Sequence, residues 1–448
     1  MAAVAATKRR KAPALHYRVE CADRHAHLFA VTLTIDRPAA QQRVSLPVWI
    51  PGSYLVREFA KNLQGLSATQ ARRSVAIEQR DKHSWQIDCA AGKPLVLRYE
   101  VCAYDHSVRT AWLDADRGFF NGTSLCLRVE GQTGQPHALE IPAPELIAGR
   151  ARWSCATALA GLKVDAQGFG SYWAADYDEL ADSPVEMGAF WSAEFQACGV
   201  PHRFVVAGAT ASFDGDRLIA DTRTICEAEM RFWHGDKVGK KGGPKPPHDR
   251  YLFMLNAVDD GYGGLEHRHS TALICTRRDL PQRDARKQPE GYTTLLGLIS
   301  HEYFHTWNVK RLRPAEFAHY DYDQENYTRL LWLFEGFTSY YDDLLLRRAG
   351  RIVDAAYLRL INKTINGVLQ APGRRVQSVA EADIAAALEA EAGRPMTAEL
   401  ASWVHSTDEL PLSDLLRAHS SRITSSSEPL PSCRNVRSKH NATREPLV

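Results

Sequence analysis

Residues 298–307 read LISHEYFHTW, which sets His301 and His305 four positions apart with Glu302 beside the first. On a helix, positions i and i+4 lie on one face about one turn apart, so both imidazoles can point at a single ion. Glu302, roughly 100° round the helix from His301, reaches a metal-bound water without displacing it as a ligand. This His-Glu-x-x-His pattern is that of a helical zinc site whose glutamate takes the proton of the attacking water. A catalytic zinc also needs a third protein ligand and an open position. Six positions beyond His305, where a third histidine can stand, the residue is Arg311. The segment LWLFEGFTSYY (331–341) offers Glu335 instead, with 29 residues between it and His305. A lone carboxylate amid Leu333, Phe334 and Phe337 needs a partner. It is either a solvated helix carboxylate or the third ligand.

Two helices must carry these groups. YTTLLGLISHEYFHTWNV (292–309) spaces Leu295, Leu298, Ile299 and Phe304 along one face. RLLWLFEGFTSYYDDLLLRR (329–348) does the same with Leu330, Leu333, Phe334, Phe337, Tyr341 and Leu344. The connection between them is polar, and Pro314 bars it from continuing as helix. Upstream, from about residue 15 to 200, short runs alternate apolar and polar between turn residues, as in HLFAVTLTID (27–36), QRVSLPVWIPGSY (42–54) and KPLVLRYEVCAYD (93–105). That pattern predicts an all-β domain. Strand-like runs continue between 203 and 275, separated by HGDKVGKKGGPKPPHDR (234–250). An insert so rich in Gly, Lys and Pro is expected to be a flexible surface loop without chemistry. After 370 come short amphipathic helices and then a polar, irregular tail. The expected organisation is a disordered lead (1–13), an N-terminal β-domain (14–200), a catalytic domain (201–370), a short helical region (371–420) and a disordered tail (421–448).

Composition excludes some partners. With 448 residues, 44% apolar and 24% charged, the chain is ordinary for a globular protein of two or three domains. Its 55 basic and 53 acidic side chains leave a net charge of +2, which is no footprint for nucleic acid. The N-terminal stretch has basic residues but no apolar run of signal-peptide length, and no 18-residue apolar window occurs. A cytoplasmic chain with no membrane partner is therefore expected. Nine cysteines, with no Cys-x-x-Cys pair, read as idle thiols.

GGLEHRHST (263–271), SHEYFHTWNVKRLRP (300–314) and LWLFEGFTSYYDDLLLRRAG (331–350) resemble the glycyl aminopeptidase family of zinc metallopeptidases. LPVWIPGSYLVREFAKN and RGFFNGTSLCL in the β-domain resemble it too, and the likeness covers roughly residues 14–380 and, less closely, 381–419. It implies an α+β fold with a thermolysin-like zincin domain behind an N-terminal β-domain, akin to the wider gluzincin aminopeptidases. It implies His301, His305 and Glu335 as ligands of one Zn²⁺ and Glu302 as general base, in agreement with the spacing. In related gluzincin aminopeptidases a Gly-x-x-Glu stretch holds the free amine of the substrate, which implies that role for Glu266. Read without the family, Glu266 is a solvated turn carboxylate. Gly263 and Gly264 would let a substrate backbone approach an edge strand closely.

The expected function is hydrolysis of the first peptide bond of peptides that begin with Gly or Ala. The alternatives are an impaired family member that binds zinc and peptide N-termini, and an endopeptidase. The resemblance also implies a Tyr-Tyr-x-Lys-Gly stretch after the third ligand, with one tyrosine stabilising the oxyanion. The sequence has GRRVQSVAEADIAAALEA (373–390) in that region, and its only adjacent tyrosines are Tyr340 and Tyr341. No glycine-bearing loop of a PDZ domain follows Ser420. A slow enzyme is expected.

Overall fold

The alternation in the first half folds as strands with one dry face. Leu28–Ile35 buries Phe29, Val31, Leu33 and Ile35 and leaves the side chains between them half-exposed. It lies within an eight-stranded sheet ordered Ala160–Val164, Gly170–Ala174, His137–Ile141, Leu15–Asp23, Leu28–Ile35, Leu95–Cys102, Leu63–Gln70 and Arg73–Val75. Neighbours are antiparallel except Leu15–Asp23 and His137–Ile141, which pair in parallel. A four-stranded sheet includes Gln41–Ser45 and Ser84–Asp88, and another includes Arg117–Phe120 and Val185–Gly188. One apolar cluster joins them through Tyr17, Phe29, Val44, Phe120 and Val185, and it continues onto Leu265, Ala272 and Tyr322 of the second half.

This computed structural model describes residues 11–285 and 287–370, together with Pro395 and Ala398. The chain divides after Ala371 into two compact units. The helices expected in 371–420 and the tail from 421 lie outside the described residues, Pro395 and Ala398 apart, as do the first ten residues.

The second half is built on a five-stranded sheet, ordered Trp191–Ala197, Val200–Ala207, Tyr251–Val258, Ser270–Thr276 and Gly263–Glu266. The three middle strands are parallel and each edge strand is antiparallel to its neighbour. Every residue of Ser270–Thr276 is buried, as is all of Tyr251–Val258 but its last residue. Cover on both faces explains why these strands read as continuous apolar runs. Helices Gly215–His234 and Glu290–Phe304 share a core with the sheet through Ile225, Met230, Leu295, Ile299, Tyr303, Phe204 and Leu255.

The expected face of the first site helix, Leu295, Leu298, Ile299 and Phe304, is buried. On the second, Leu331–Arg348, the stripe is wider than the contact that covers it. Phe334, Thr338, Leu345 and Leu346 are buried, while Leu330, Leu333, Phe337, Tyr341 and Leu344 are only partly covered. The insert has no helix or strand beyond His234, yet it is anchored rather than free. Val238 and His248 are buried, and His248 Nε2 stands 3.1 Å from the Tyr303 hydroxyl. The physical reason is that a phenol inside the core needs polar partners, and His202 Nε2, at 3.0 Å, supplies another. The eight described cysteines are free thiols. No helix among the described residues is long and apolar enough to cross a membrane.

Candidate active site

His301 and His305 stand one turn apart at the end of helix Glu290–Phe304, and their Nε2 atoms are 3.2 Å apart. The facing helix brings in Glu335, whose Oε2 lies 3.6 Å from His301 Nε2 and 3.7 Å from His305 Nε2. Donors that sit about 2.0–2.1 Å from one tetrahedral ion are about 3.4 Å from each other. The three atoms therefore form a triangle of the size that a zinc ion requires. Two imidazoles and a carboxylate are also a donor set that zinc accepts.

Outer partners aim the imidazoles. His301 Nδ1 donates to Asp342 Oδ2 at 3.0 Å, and His305 Nδ1 donates to the Asn308 carbonyl at 2.8 Å. Each ring thus spends its Nδ1–H on an acceptor and turns Nε2 inward, which fixes the tautomer a metal ligand needs. Asp342 lies two turns beyond Glu335 on the same helix face. Ser300 Oγ lies within hydrogen-bond distance of both the Asp342 carbonyl, at 3.0 Å, and buried Glu229 Oε1, at 2.9 Å, tying the two helices together behind the site.

The carboxylates are held in unequal states. Burial would raise Glu335, but the His301 hydrogen bond, His305 and Tyr54 take its carboxyl down to about 2. Burial likewise opposes charge on His301, yet Asp342 and Glu335 hold that imidazole well above its ordinary value. Burial and the neighbouring His301 push His305 down. Glu302 has no comparable set of donors. Burial raises it, His301 opposes, and Glu266 and Glu335 add their repulsion, so that its carboxyl is pushed up to about 8. Its Oε2 is buried without a hydrogen-bond partner. A cation among these groups offsets the crowding of Glu266, Glu302 and Glu335, so the residues fit a metal.

The strand Gly263–Glu266 closes one side of the site. A Cβ at Gly264 would stand 2.0 Å from Glu302 Oε1, so only glycine lets this strand lie against that carboxylate. The side that a Cβ at Gly264 would occupy is thus filled by Glu302, whereas the substrate backbone expected here would run along the free edge of the strand. Gly263 is open, with Ile274 the nearest neighbour at 3.9 Å, and the strand is an edge that pairs with Ser270–Thr276 on one side. Glu266 is buried, not solvated. Its carboxylate groups with Glu302 and His305, and its Oε1 lies 3.7 Å from Lys310 Nζ. Lys310 is itself buried and meets Asp182 Oδ1 at 3.2 Å.

Three groups at the site were not singled out from the sequence. Asp342 had a readable signal, an acid two turns from Glu335 on an apolar helix. Lys310 had none, because the carboxylates that justify its burial come from distant parts of the chain. The third is Tyr54, in the β half, whose hydroxyl donates to Glu335 Oε1. Burial, then Glu266 and Glu335, push its phenol up, so it stays a donor. Of the two tyrosines considered for the oxyanion, Tyr341 packs with apolar neighbours, 5.6 Å from the Phe304 ring and 4.8 Å from Phe232. Tyr340 is more than half exposed.

Two family models match the chain: the Peptidase M61 N-terminal domain over residues 16–189 and the M61 glycyl aminopeptidase over residues 294–404. The chain belongs to the M61 glycyl aminopeptidase family. This M61 chain is 40% identical to an aminopeptidase N family protein of known crystal structure from Idiomarina loihiensis, with a TM-score of 0.72. That match covers 77% of this chain and 56% of the other, so the M61 chain spans little more than half of that relative's length. An M1 zinc metallopeptidase from Deinococcus radiodurans is 14% identical with a TM-score of 0.46, over 89% of this chain and 94% of that one. Aminopeptidase A from Legionella pneumophila, in complex with aspartic acid, is 11% identical with a TM-score of 0.46, over 75% and 37%. No curated protein matches the chain. The expected α+β fold, with a β-rich first half before a second half in which helices pack on a mixed sheet, is the fold found.

Proposed function

We propose that this chain is a zinc aminopeptidase that releases a small first residue, Gly or Ala, from peptides. The observation that carries the reading is the triangle of His301 Nε2, His305 Nε2 and Glu335 Oε2, with edges of 3.2, 3.6 and 3.7 Å, beside two further buried carboxylates. His301, His305 and Glu335 hold the ion. Bound zinc supplies Lewis acidity and lowers the pKa of water from about 15.7 towards ~7. Glu302, against the edge strand, takes the proton of the attacking water and returns it to the leaving amine. Glu266 receives the free ammonium of the substrate through a charge-assisted hydrogen bond, while the open side of Gly263–Glu266 pairs with the substrate backbone. Family membership supports the preference for a small first residue.

Turnover is slow in this reading. Tyr341 is committed to apolar packing, and the family's tyrosine stretch is missing from the sequence. Loss of one oxyanion donor costs about 10²–10³ in kcat.

Metal analysis of purified protein, together with cleavage of a glycyl peptide and its N-acetylated form, tests the proposal. One zinc per chain with cleavage of the free peptide alone is expected. Equal cleavage of both forms would make the protein an endopeptidase. Zinc and peptide binding without cleavage would leave only an N-terminus-binding member, and no bound metal would overturn the reading.

A further inference from the structure

The turn between Val48 and Arg57 belongs to the β half in sequence but lies over the site. It is tied to itself and to the second half. Trp49 Nε1 donates to the Ser53 carbonyl at 2.7 Å, Arg57 Nε to Ser53 Oγ at 2.9 Å, and Val48 N to the Tyr322 carbonyl at 2.9 Å. Trp49, Ile50 and Ser53 are almost fully buried, whereas Tyr54, Leu55 and Val56 are exposed by 46%, 63% and 49%. Tyr54 therefore follows a rigid anchor, and although its ring is half in solvent, its hydroxyl points inward to Glu335 Oε1. The other oxygen of that carboxylate, Oε2, is the one that faces both imidazoles.

We propose that Tyr54 is a positioning residue for the metal centre, its hydroxyl holding Glu335 Oε1 so that Oε2 is presented to the cation. The proposal rests on the zinc reading above. A glutamate side chain loses considerable rotamer freedom when it is fixed, and a donor on one oxygen lowers that cost at the moment of metal binding. Asp342 and the Asn308 carbonyl do this for the two imidazoles, and Tyr54 does it for the third donor. The β half thereby completes a centre whose three donors all lie in the second half.

Zinc affinity, measured by chelator competition on the full chain, tests this in the wild type, Tyr54→Phe, Glu335→Ala and the double variant, alongside the Tm of each metal-free protein. Tyr54→Phe keeps the ring, so its metal-free Tm should match the wild type while zinc binds about 10- to 100-fold more weakly. In the Glu335→Ala background the same change should add nothing, because the group it orients is gone. Tight zinc binding by the wild type, weak binding by Glu335→Ala and unchanged binding by Tyr54→Phe would overturn the role of Tyr54 and leave the zinc reading standing. A lowered metal-free Tm, with an equal loss of affinity in both backgrounds, would overturn it in favour of a purely structural role. A wild type that binds no zinc would remove both.

Discussion

In the β half, Leu28–Ile35 buries alternate side chains, whereas in the second half every residue of Ser270–Thr276 is buried. The difference sets what each half can contribute. A sheet covered on both faces is a rigid platform, and the helix packed on it places His301, Glu302 and His305 within one turn of each other. A sheet with one wet face holds its own core but meets the site through connections. Those connections are the Val48–Arg57 turn, which brings Gly52 and Tyr54, and Asp182, which meets Lys310. In the proposed reaction, proton chemistry falls to the platform, and orientation is shared.

The largest expected effect belongs to the platform. Glu302→Gln should lower kcat by about 10²–10⁴ while zinc content and Tm stay as in the wild type. Steady-state kinetics with metal analysis on one preparation decides it. Loss of metal in this variant would mean that Glu302 shapes the site rather than moving a proton.

Next comes Glu266, on the edge strand. Glu266→Gln should raise KM for free-amine glycyl peptides by about 10- to 100-fold, the span of a lost hydrogen bond to a charged group, with zinc content unchanged. An unchanged KM for the free-amine peptide, with zinc retained, would show that the carboxylate does not read the amine.

A third test moves to the β half. Gly52 has φ +87°, and a Cβ there would lie 2.6 Å from Glu266 Oε2. Gly65 has φ +64° with nothing within 4 Å. Both substitutions to Ala carry the conformational cost of about 1–3 kcal/mol, but only Gly52→Ala also drives a wedge into the site. Gly52→Ala should therefore lower Tm more than Gly65→Ala and raise KM, while Gly65→Ala leaves KM alone. Equal behaviour would mean that the turn does not touch substrate binding.

How much of this was legible in the sequence depended on chain distance. His301, Glu302 and His305 declared themselves because their relation is local to one helix, and Glu335 because its helix carries a clear apolar stripe. The alternation before residue 200 declared strands, and the solid apolar runs after it declared a different sheet. Tyr54 is 281 residues from Glu335, and nothing in PGSYLV marks its hydroxyl as facing a carboxylate. The sequence marks Gly264 as a place of close backbone approach, but it could not show that Glu302 fills the space a Cβ there would take. The insert read as free because two buried contacts, Val238 and His248, are invisible in a composition rich in Gly, Lys and Pro.

The smallest effect is a slope, and it concerns the strut between the halves. Asp182, in the β half, accepts the Arg268 backbone N–H at 2.9 Å and His267 Nδ1 at 3.2 Å, and it lies 3.2 Å from Lys310 Nζ. Burial alone would raise its carboxyl, but Lys310 first, then His267 and Arg268, hold it well below the usual carboxylate range. A carboxyl depressed in the folded state binds a proton more readily when unfolded. Its contribution to stability is therefore complete above the unfolded value near 3.9 and is lost as pH falls below it towards the folded value. One such proton steepens the acid limb by at most about 1.4 kcal/mol per pH unit. Lys310 adds no slope there, since its raised value means that its own contribution is lost only as pH rises through the alkaline range. Denaturant unfolding of the wild type and Asp182→Asn from pH 6 to pH 2 should show a lower level for the variant at pH 6 and a smaller gap between the two as the pH drops below about 4. A gap that stayed constant over that range would show that Asp182 is protonated no less easily in the folded chain than in the unfolded one, and the strut would then join the halves by shape and not by charge.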